Sequence, residues 1–538
     1  MKLQQQLIYY ILLLIITSCG GREMSQDAEN KSLPVAWNQA VFYEIFVQSF
    51  ADSDGDGIGD INGMTSKLDY LKDLGIDAIW LMPMSPSPSY HKYDVTDYLG
   101  IHPDYGTIED FKAFIQAAHQ KNIKVVMDFV INHSGYDHPW FQNAMQGKNA
   151  KYRDYYVWAD KDSIVEQMAK KVTSFDSDNV RQWHPVNGDS TKEHYYGFFY
   201  GGMPDLNYDN PAVRAEMYEA GKFWLTDVGV DGFRLDAAKH IYPDDRAEDS
   251  HAFWKEFKTE MEKINPDVYL IGEVWADANT ASPYAAGFTS LFNFDRAFSI
   301  LESINKERVV AANIAGHSYQ IDSTANLADV INTSLPWFEK YNQNFVEASF
   351  LSNHDQNRVA SVLGNDQSKI KLAASMLFTL PGTPYIYYGE EIGMLGLKPD
   401  ENIREPMVWD ADELDGARTS WMQPVYTTAT SVEPAMKQVR DDQSLLSHYK
   451  SLISLKKRDV FSLGDIQNLD FGTYNIVAFT RNYGETSAAV VHNLSNQKVE
   501  LGAQTLSDYS SIVWSQGEVS KSQSALILPA RGSVVLLK

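Results

Sequence analysis

The strongest constraint on this chain is a rhythm. From residue 40 onward, apolar runs of strand length alternate with amphipathic stretches of helix length. The strand candidates are 40–46, 77–82, 123–130, 230–235, 268–274, 291–294, 346–351 and 384–388. Helix candidates between and after them include 64–74, 108–120, 212–226, 253–264, 369–380 and 445–457. Short continuous apolar runs are strands buried on both faces, as in parallel sheets. Eight repeated βα units close such a sheet on itself, so the predicted fold class is α/β, a (β/α)8 TIM barrel.

Two segments break the rhythm. Residues 133–207, after the third strand, are rich in Tyr, Trp, Asp and Gly and far exceed an ordinary βα loop. They are expected to form a small inserted domain over the barrel mouth. Beyond residue 457 the pattern turns to short β-rich runs, such as 475–481, 487–492 and 524–528. A C-terminal antiparallel β-sandwich over 461–538 is expected, with 37–460 as the barrel.

Active sites of such barrels gather at the C-terminal ends of the strands. Strand three runs out into Asp128, Asn132 and His133, and strand four into Arg234, Asp236, Lys239 and His240. Strand five ends in Gly272-Glu273-Val274-Trp275, and strand seven in Ser352-Asn353-His354-Asp355. Any one of these could be a structural polar residue. Three carboxylates, Asp236, Glu273 and Asp355, converging on one rim argue for catalysis. An arginine two residues from Asp236 favours an ionised carboxylate, able to attack an electrophilic carbon. Glu273 follows Leu270-Ile271-Gly272, and apolar surroundings raise a carboxyl pKa and keep its proton available.

These segments resemble the signature regions of the α-amylase family of glycoside hydrolases, family 13. D-F-V-I-N-H, G-F-R-L-D-A-A-K-H, G-E-V-W and S-N-H-D are similar to its four main regions, and M-P-D-L-N at 203–207 to its fifth. The resemblance implies retaining cleavage of glycosidic bonds, with Asp236 as nucleophile, Glu273 as acid/base and Asp355 gripping sugar hydroxyls. It further implies that His133 and His354 donate to that sugar and that Tyr93 stacks beneath it. Arg234, counted with the substrate-binding residues, would hold Asp236 ionised, and the resemblance implies that Lys239 and His240 hold glucose units on the leaving-group side. Family members that cut α-1,6 bonds typically carry valine after the nucleophile, so the small Ala237 here, with Lys239 and His240, implies by resemblance α-1,4 cleavage within a glucan or maltooligosaccharide. The M-P-D-L-N segment pulls toward enzymes between oligo-1,6-glucosidases and neopullulanases. An α-glucosidase or a cyclodextrin- or pullulan-cleaving enzyme is therefore the alternative. A non-catalytic glucan-binding relative would have lost a carboxylate, and none is missing.

Asp52-Ser53-Asp54-Gly55-Asp56-Gly57-Ile58-Gly59-Asp60 spaces acidic side chains with turn-forming glycines, a pattern able to wrap oxygens around Ca²⁺. It resembles the start of an EF-hand loop but has Gly63 where the twelfth-position glutamate would stand. It is more similar to the calcium loop after the first strand in family members, which implies Asp52, Asp54, Asp56, Asp60 and the carbonyl of Ile58 as ligands. A second family calcium site would use Asn132.

The first residues read as targeting. Lys2 precedes an apolar run, Leu7 to Ile16, too short to span a membrane comfortably. Ile16-Thr17-Ser18-Cys19 resembles a bacterial lipoprotein box, which implies a leader over 1–18, lipid on Cys19 and a polar tether to residue 36. A protein anchored in the bacterial cell envelope is expected, touching the membrane only through Cys19. Cys19 is the only cysteine, so no intramolecular disulfide can form. The formal net charge of −25 argues against nucleic acid as a partner, since phosphates would be repelled. The 30 Tyr, 25 Phe and 12 Trp fit either a large core or flat platforms for sugar rings.

Overall fold

The computed structural model describes residues 37–169, 181–311, 326–411, 416–428 and 430–538. The expected leader, Cys19 and tether lie outside the described residues. Eight strands form a closed parallel barrel in chain order: β1 (Phe42–Ile45), β2 (Ala78–Leu81), β3 (Lys124–Phe129), β4 (Gly232–Leu235), β5 (Tyr269–Gly272), β6 (Ser290–Phe292), β7 (Val346–Ser349) and β8 (Thr383–Tyr387). β8 closes on β1 with Phe42 opposite Tyr385.

Alternation along each strand sorts the side chains. Phe42, Ala78, Trp80, Val126, Tyr269, Ile271, Phe292, Ala348 and Tyr385 fill the barrel interior as one apolar cluster. Tyr43, Ile79, Val125, Phe233 and Leu270 belong to the larger core shared with the helices. Two residues beyond an inward position lies another inward position. By that rule Glu44 follows Phe42, Asp128 follows Val126 and Glu273 follows Ile271. All three are buried. A layer of charge thus sits directly on the apolar layer, at the C-terminal end of the barrel.

The helix Ile108–Gln120 shows how local sequence fixes an outer element. Thr107 and Asp110 form a reciprocal cap at its start. Phe111, Phe114, Ile115 and Ala118 make one buried face at helical spacing. Asn122, at φ 55°, turns the chain into β3. The helix expected at 212–226 is Pro211–Lys222, continued by a wider π turn from Phe223 to Val228. Gly229, at φ 96°, ends it just before β4.

Within 133–207 a small antiparallel sheet joins Trp158–Ala159, His194–Tyr196 and Trp183–Pro185. Its strands are two or three residues long, too short to show a period in sequence. Bridges from His133 to Asp205 and from Tyr156 to Leu206 tie the excursion back to the end of β3. At the C-terminus a five-stranded antiparallel sheet (Asp465–Asn468, Ile476–Tyr483, Thr486–Asn493, Ser533–Leu537, Ser511–Gln516) faces a three-stranded one (Val499–Gly502, Ala525–Leu528, Ser520–Lys521). Ile476, Val491, Leu501, Leu526 and Leu536 pack between them.

Candidate active site

A cavity of about 700 Å³ opens at the C-terminal end of the barrel, its walls including Asp236, Glu273 and Asp355. Asp236 and Glu273 each stand one residue beyond a strand, β4 and β5, so the sheet itself fixes their places. Between them lies Arg234, which is 1% exposed. Its Nη1 donates to Oδ1 of Asp236 at 2.7 Å and to Asp128 at 3.0 Å. Its Nη2 lies 2.9 Å from Oε1 of Glu273. Ala237, held in the left-handed region at φ 49°, donates its backbone N–H to the other Glu273 oxygen at 3.0 Å. Such a conformation costs a non-glycine residue roughly 1–2 kcal/mol, and here it aims the residue after Asp236 at Glu273.

The surroundings of Glu273 are therefore not simply apolar. Burial is the main force, pushing its carboxyl up to about 7; Arg234 opposes, and Asp236 and Asp355 add to the rise. Asp355 is driven the opposite way. Burial would raise it, but His354 and Arg404 outweigh burial and hold it well below the usual carboxylate range.

His133, His240, Tyr93 and Lys239 also line the cavity. Nε2 of His133 is buried without a hydrogen-bond partner, and burial lowers the pKa of the ring. Such an atom in a cavity wall is free to meet a hydrogen-bonding group of a ligand. Tyr93 lies nearly parallel to His354, with ring centres 5.7 Å apart, and its hydroxyl is 2.6 Å from His354 Nε2. His240 stacks on Phe198 at 3.8 Å, and Lys239 pairs with Asp244 at 3.4 Å. His354 itself sits behind this wall, fully buried.

Sequence reasoning missed the far wall. Arg404, Asp400 and Lys398 come from the segment after β8, which carries no periodic signal. Arg404 Nη2 reaches Asp355 at 2.8 Å and Asp400 at 3.1 Å, and Lys398 pairs with Asp400. Its Nη1 reaches the hydroxyl of Tyr90, which stacks on Trp421 with ring centres 5.3 Å apart. Phe199 and Tyr200, from the excursion, complete the opposite side.

In the acidic loop, Asp52, Asp54 and Asp60 each offer an oxygen, all within 4.8 Å of one another. A hard, all-oxygen donor set of this kind fits Ca²⁺. Asp56 is not in that group; its carboxylate turns into its own loop and accepts the N–H of Ile58 at 2.7 Å. Asn132 is buried beside His133, and its Oδ1 has no hydrogen-bond partner.

Fold and site together present a closed parallel barrel whose C-terminal cavity holds a pair of carboxyl groups tied to one guanidinium. A model of the alpha-amylase catalytic domain matches residues 44–464, and one of the alpha-amylase SusG C-terminal domain matches 476–535. Alpha-amylase 3 of Dictyoglomus thermophilum is 42% identical over 460 residues, 85% of each chain. A 4-alpha-glucanotransferase of Thermotoga maritima is 36% identical over 463 residues, 85% of this chain and 96% of that one. The solved alpha-amylase from H. orenii superimposes with a TM-score of 0.81 at 40% identity, covering 93% of this chain and 99% of that one. The chain belongs to the α-amylase family of glycoside hydrolases, family 13.

Proposed function

We propose that this protein is an α-amylase, cleaving α-1,4-glucosidic bonds within starch-like glucans and maltooligosaccharides with retention of configuration. The observation that carries the reading is the bridging of Asp236 and Glu273 by Arg234. Retention needs two carboxyl groups about 5–5.5 Å apart with different protonation. Asp236, paired with the cation, attacks C1 of the sugar. Glu273, with its raised pKa, protonates the departing glycosidic oxygen, then takes a proton from the water that frees the glycosyl group. Asp355, held ionised by its neighbours, accepts hydroxyls of the same sugar. Lys239, His240 and Tyr200 line the cleft and would hold further glucose units on the leaving-group side.

Product analysis on soluble starch, pullulan and maltotriose tests this. Early release of mixed maltooligosaccharides from starch supports internal α-1,4 cleavage; glucose alone from chain ends favours an α-glucosidase. A second reading has one specific support, the 36% identity to a 4-alpha-glucanotransferase. In that reaction a sugar hydroxyl replaces water, and products longer than the maltotriose supplied would reveal it.

Two attributes complete the proposal. Asp52, Asp54 and Asp60, with Asp56 and the Ile58 carbonyl in the same loop, would hold a structural Ca²⁺ that neutralises the loop's charge. The Cys19 box supports a lipid-anchored protein of the cell envelope. Among the described residues no helix is long and apolar enough to cross a membrane.

A further inference from the structure

Glu44 is a charged side chain in the middle of a buried strand, Phe42-Tyr43-Glu44-Ile45, and the proposed chemistry leaves it without a task. It is 1% exposed. Burying a carboxylate is costly unless a charged partner receives it. The partner is His354: Glu44 Oε1 lies 2.6 Å from Nδ1 of that ring and 3.4 Å from its backbone N–H. On the opposite edge, Nε2 of His354 faces Oδ2 of Asp355 at 3.1 Å.

The ring is held on every side. Trp80 of β2 meets it edge-on, with ring centres 5.4 Å apart. Tyr93, from the segment after β2, lies along its face. Arg404 donates to the His354 carbonyl at 2.9 Å. Asp128 of β3 accepts from the Tyr93 hydroxyl at 3.3 Å, and Arg234 of β4 donates to that hydroxyl at 3.4 Å.

Proton counting then decides the ring's state. A neutral imidazole has one N–H and one lone pair. With carboxylates at both nitrogens, the lone pair of a neutral ring would point at a carboxylate oxygen. Accepting a proton from Tyr93 instead would leave that lone pair beside Asp355 and deprive Asp128 of the tyrosine proton. Two N–H donors satisfy both carboxylates at once, and the Tyr93 oxygen shares the second.

We propose that Glu44 is a positioning residue for the glycosidic reaction: from β1 it holds His354 as a doubly protonated imidazolium, which keeps Asp355 ionised and aimed at the sugar. The electrostatics agree. Burial alone would lower the pKa of His354, but Asp355 and Glu44 outweigh it and lift it to about 10. With that cation fixed, Asp355 has no call on a proton, so both its oxygens stay acceptors for hydroxyls while Glu273 keeps its proton for the leaving group. The functional part of this inference rests on the reading of the cleft as the glycan-cleaving centre; the protonation state does not.

The test has two arms. Nitrogen-15 NMR of the histidine rings, with His354 assigned by its absence in His354→Gln, reads the protonation state directly in substrate-free enzyme. Both ring nitrogens of His354 in the parent are expected to stay protonated from pH 5 to 9. Titration of that ring below pH 8 in the parent overturns the proposal, whatever the substrate proves to be. The second arm is Glu44→Gln, which preserves shape and removes the charge. The ratio of variant to parent kcat/KM on a maltooligosaccharide is measured from pH 5 to 9, so that the Glu273 titration common to both divides out. The ratio is expected to fall about tenfold across that range, equivalent to one pKa unit, as His354 loses its proton. A ratio that is low but flat with pH means that Glu44 only shapes the barrel, and the positioning role fails.

Discussion

Nη2 of Arg234 stands 2.9 Å from Oε1 of Glu273, while Nη1 of the same guanidinium holds Asp236 at 2.7 Å. The proposed acid/base and nucleophile therefore share one cation, and their separation is set by its planar fork. Lysine cannot reproduce that geometry. Arg234→Lys is expected to lower kcat/KM by about 10²–10⁴-fold, in keeping with the roughly 3–5 kcal/mol attached to breaking a buried charge pair. Steady-state kinetics on a maltooligosaccharide, with circular dichroism to confirm folding, checks this. A loss under tenfold would mean that the strands alone fix the two carboxyls.

The pH dependence should report Glu273, which must carry a proton when the glycosidic bond breaks. Burial lifts its pKa from an ordinary value near 4.5 to about 7, against the pull of Arg234. kcat/KM is expected to fall as pH rises through about 7. Stability follows the same sign. The folded chain holds this proton more tightly than the unfolded one, so the contribution is complete below about 4.5 and lost as pH rises through about 7. Glu273→Gln should be nearly inactive and should lose less stability than the parent between pH 5 and 8, measured by urea midpoints. An activity limb near pH 4.5 would place Glu273 in watery surroundings and contradict the site.

Calcium should stabilise without catalysing. Asp54 is exposed, and in the loop it only accepts the N–H of Asp56, so Asp54→Ala leaves the hydrogen bonds made by Asp52 and Asp60 in place. A site filled to 100 times its Kd contributes about 2.7 kcal/mol. Chelator is expected to lower the parent Tm by several degrees and the variant Tm hardly at all. An equal fall in both would put the ion elsewhere, with Asn132 the next place to look.

The anchor is tested apart from catalysis. Cys19→Ala, expressed in a bacterial host with lipoprotein processing, should leave the membrane fraction and appear in the soluble fraction with unchanged specific activity. Retention in the membrane would mean that Cys19 carries no lipid.

The barrel was legible because buried strands and amphipathic helices each impose a period, and the 108–120 helix follows that period over its whole length. Asp236 and Glu273 were legible because a barrel puts strand ends and chemistry in one place. Arg404 was not: it lies in an irregular segment after β8, and only the closed fold brings it to Asp355. The contact between Arg234 and Glu273 was equally hidden, since the two residues lie on different strands and nothing local links them. Glu44 did leave a trace, a lone carboxylate inside an apolar run, but its meaning depended on a histidine 310 residues away. Alternating acids in the 52–60 loop suggested four converging carboxylates; three of them, Asp52, Asp54 and Asp60, bring oxygens within 4.8 Å of one another, and Asp56 accepts the N–H of Ile58.

In the proposed reaction Asp236 attacks the sugar while Glu273 handles the proton. Glu273→Gln incubated with an α-maltosyl fluoride tests it most directly, because fluoride leaves without acid help and the second step then lacks its base. Mass spectrometry of the digested protein should find one maltosyl group on the peptide bearing Asp236. No adduct, or an adduct on another residue, would contradict the account.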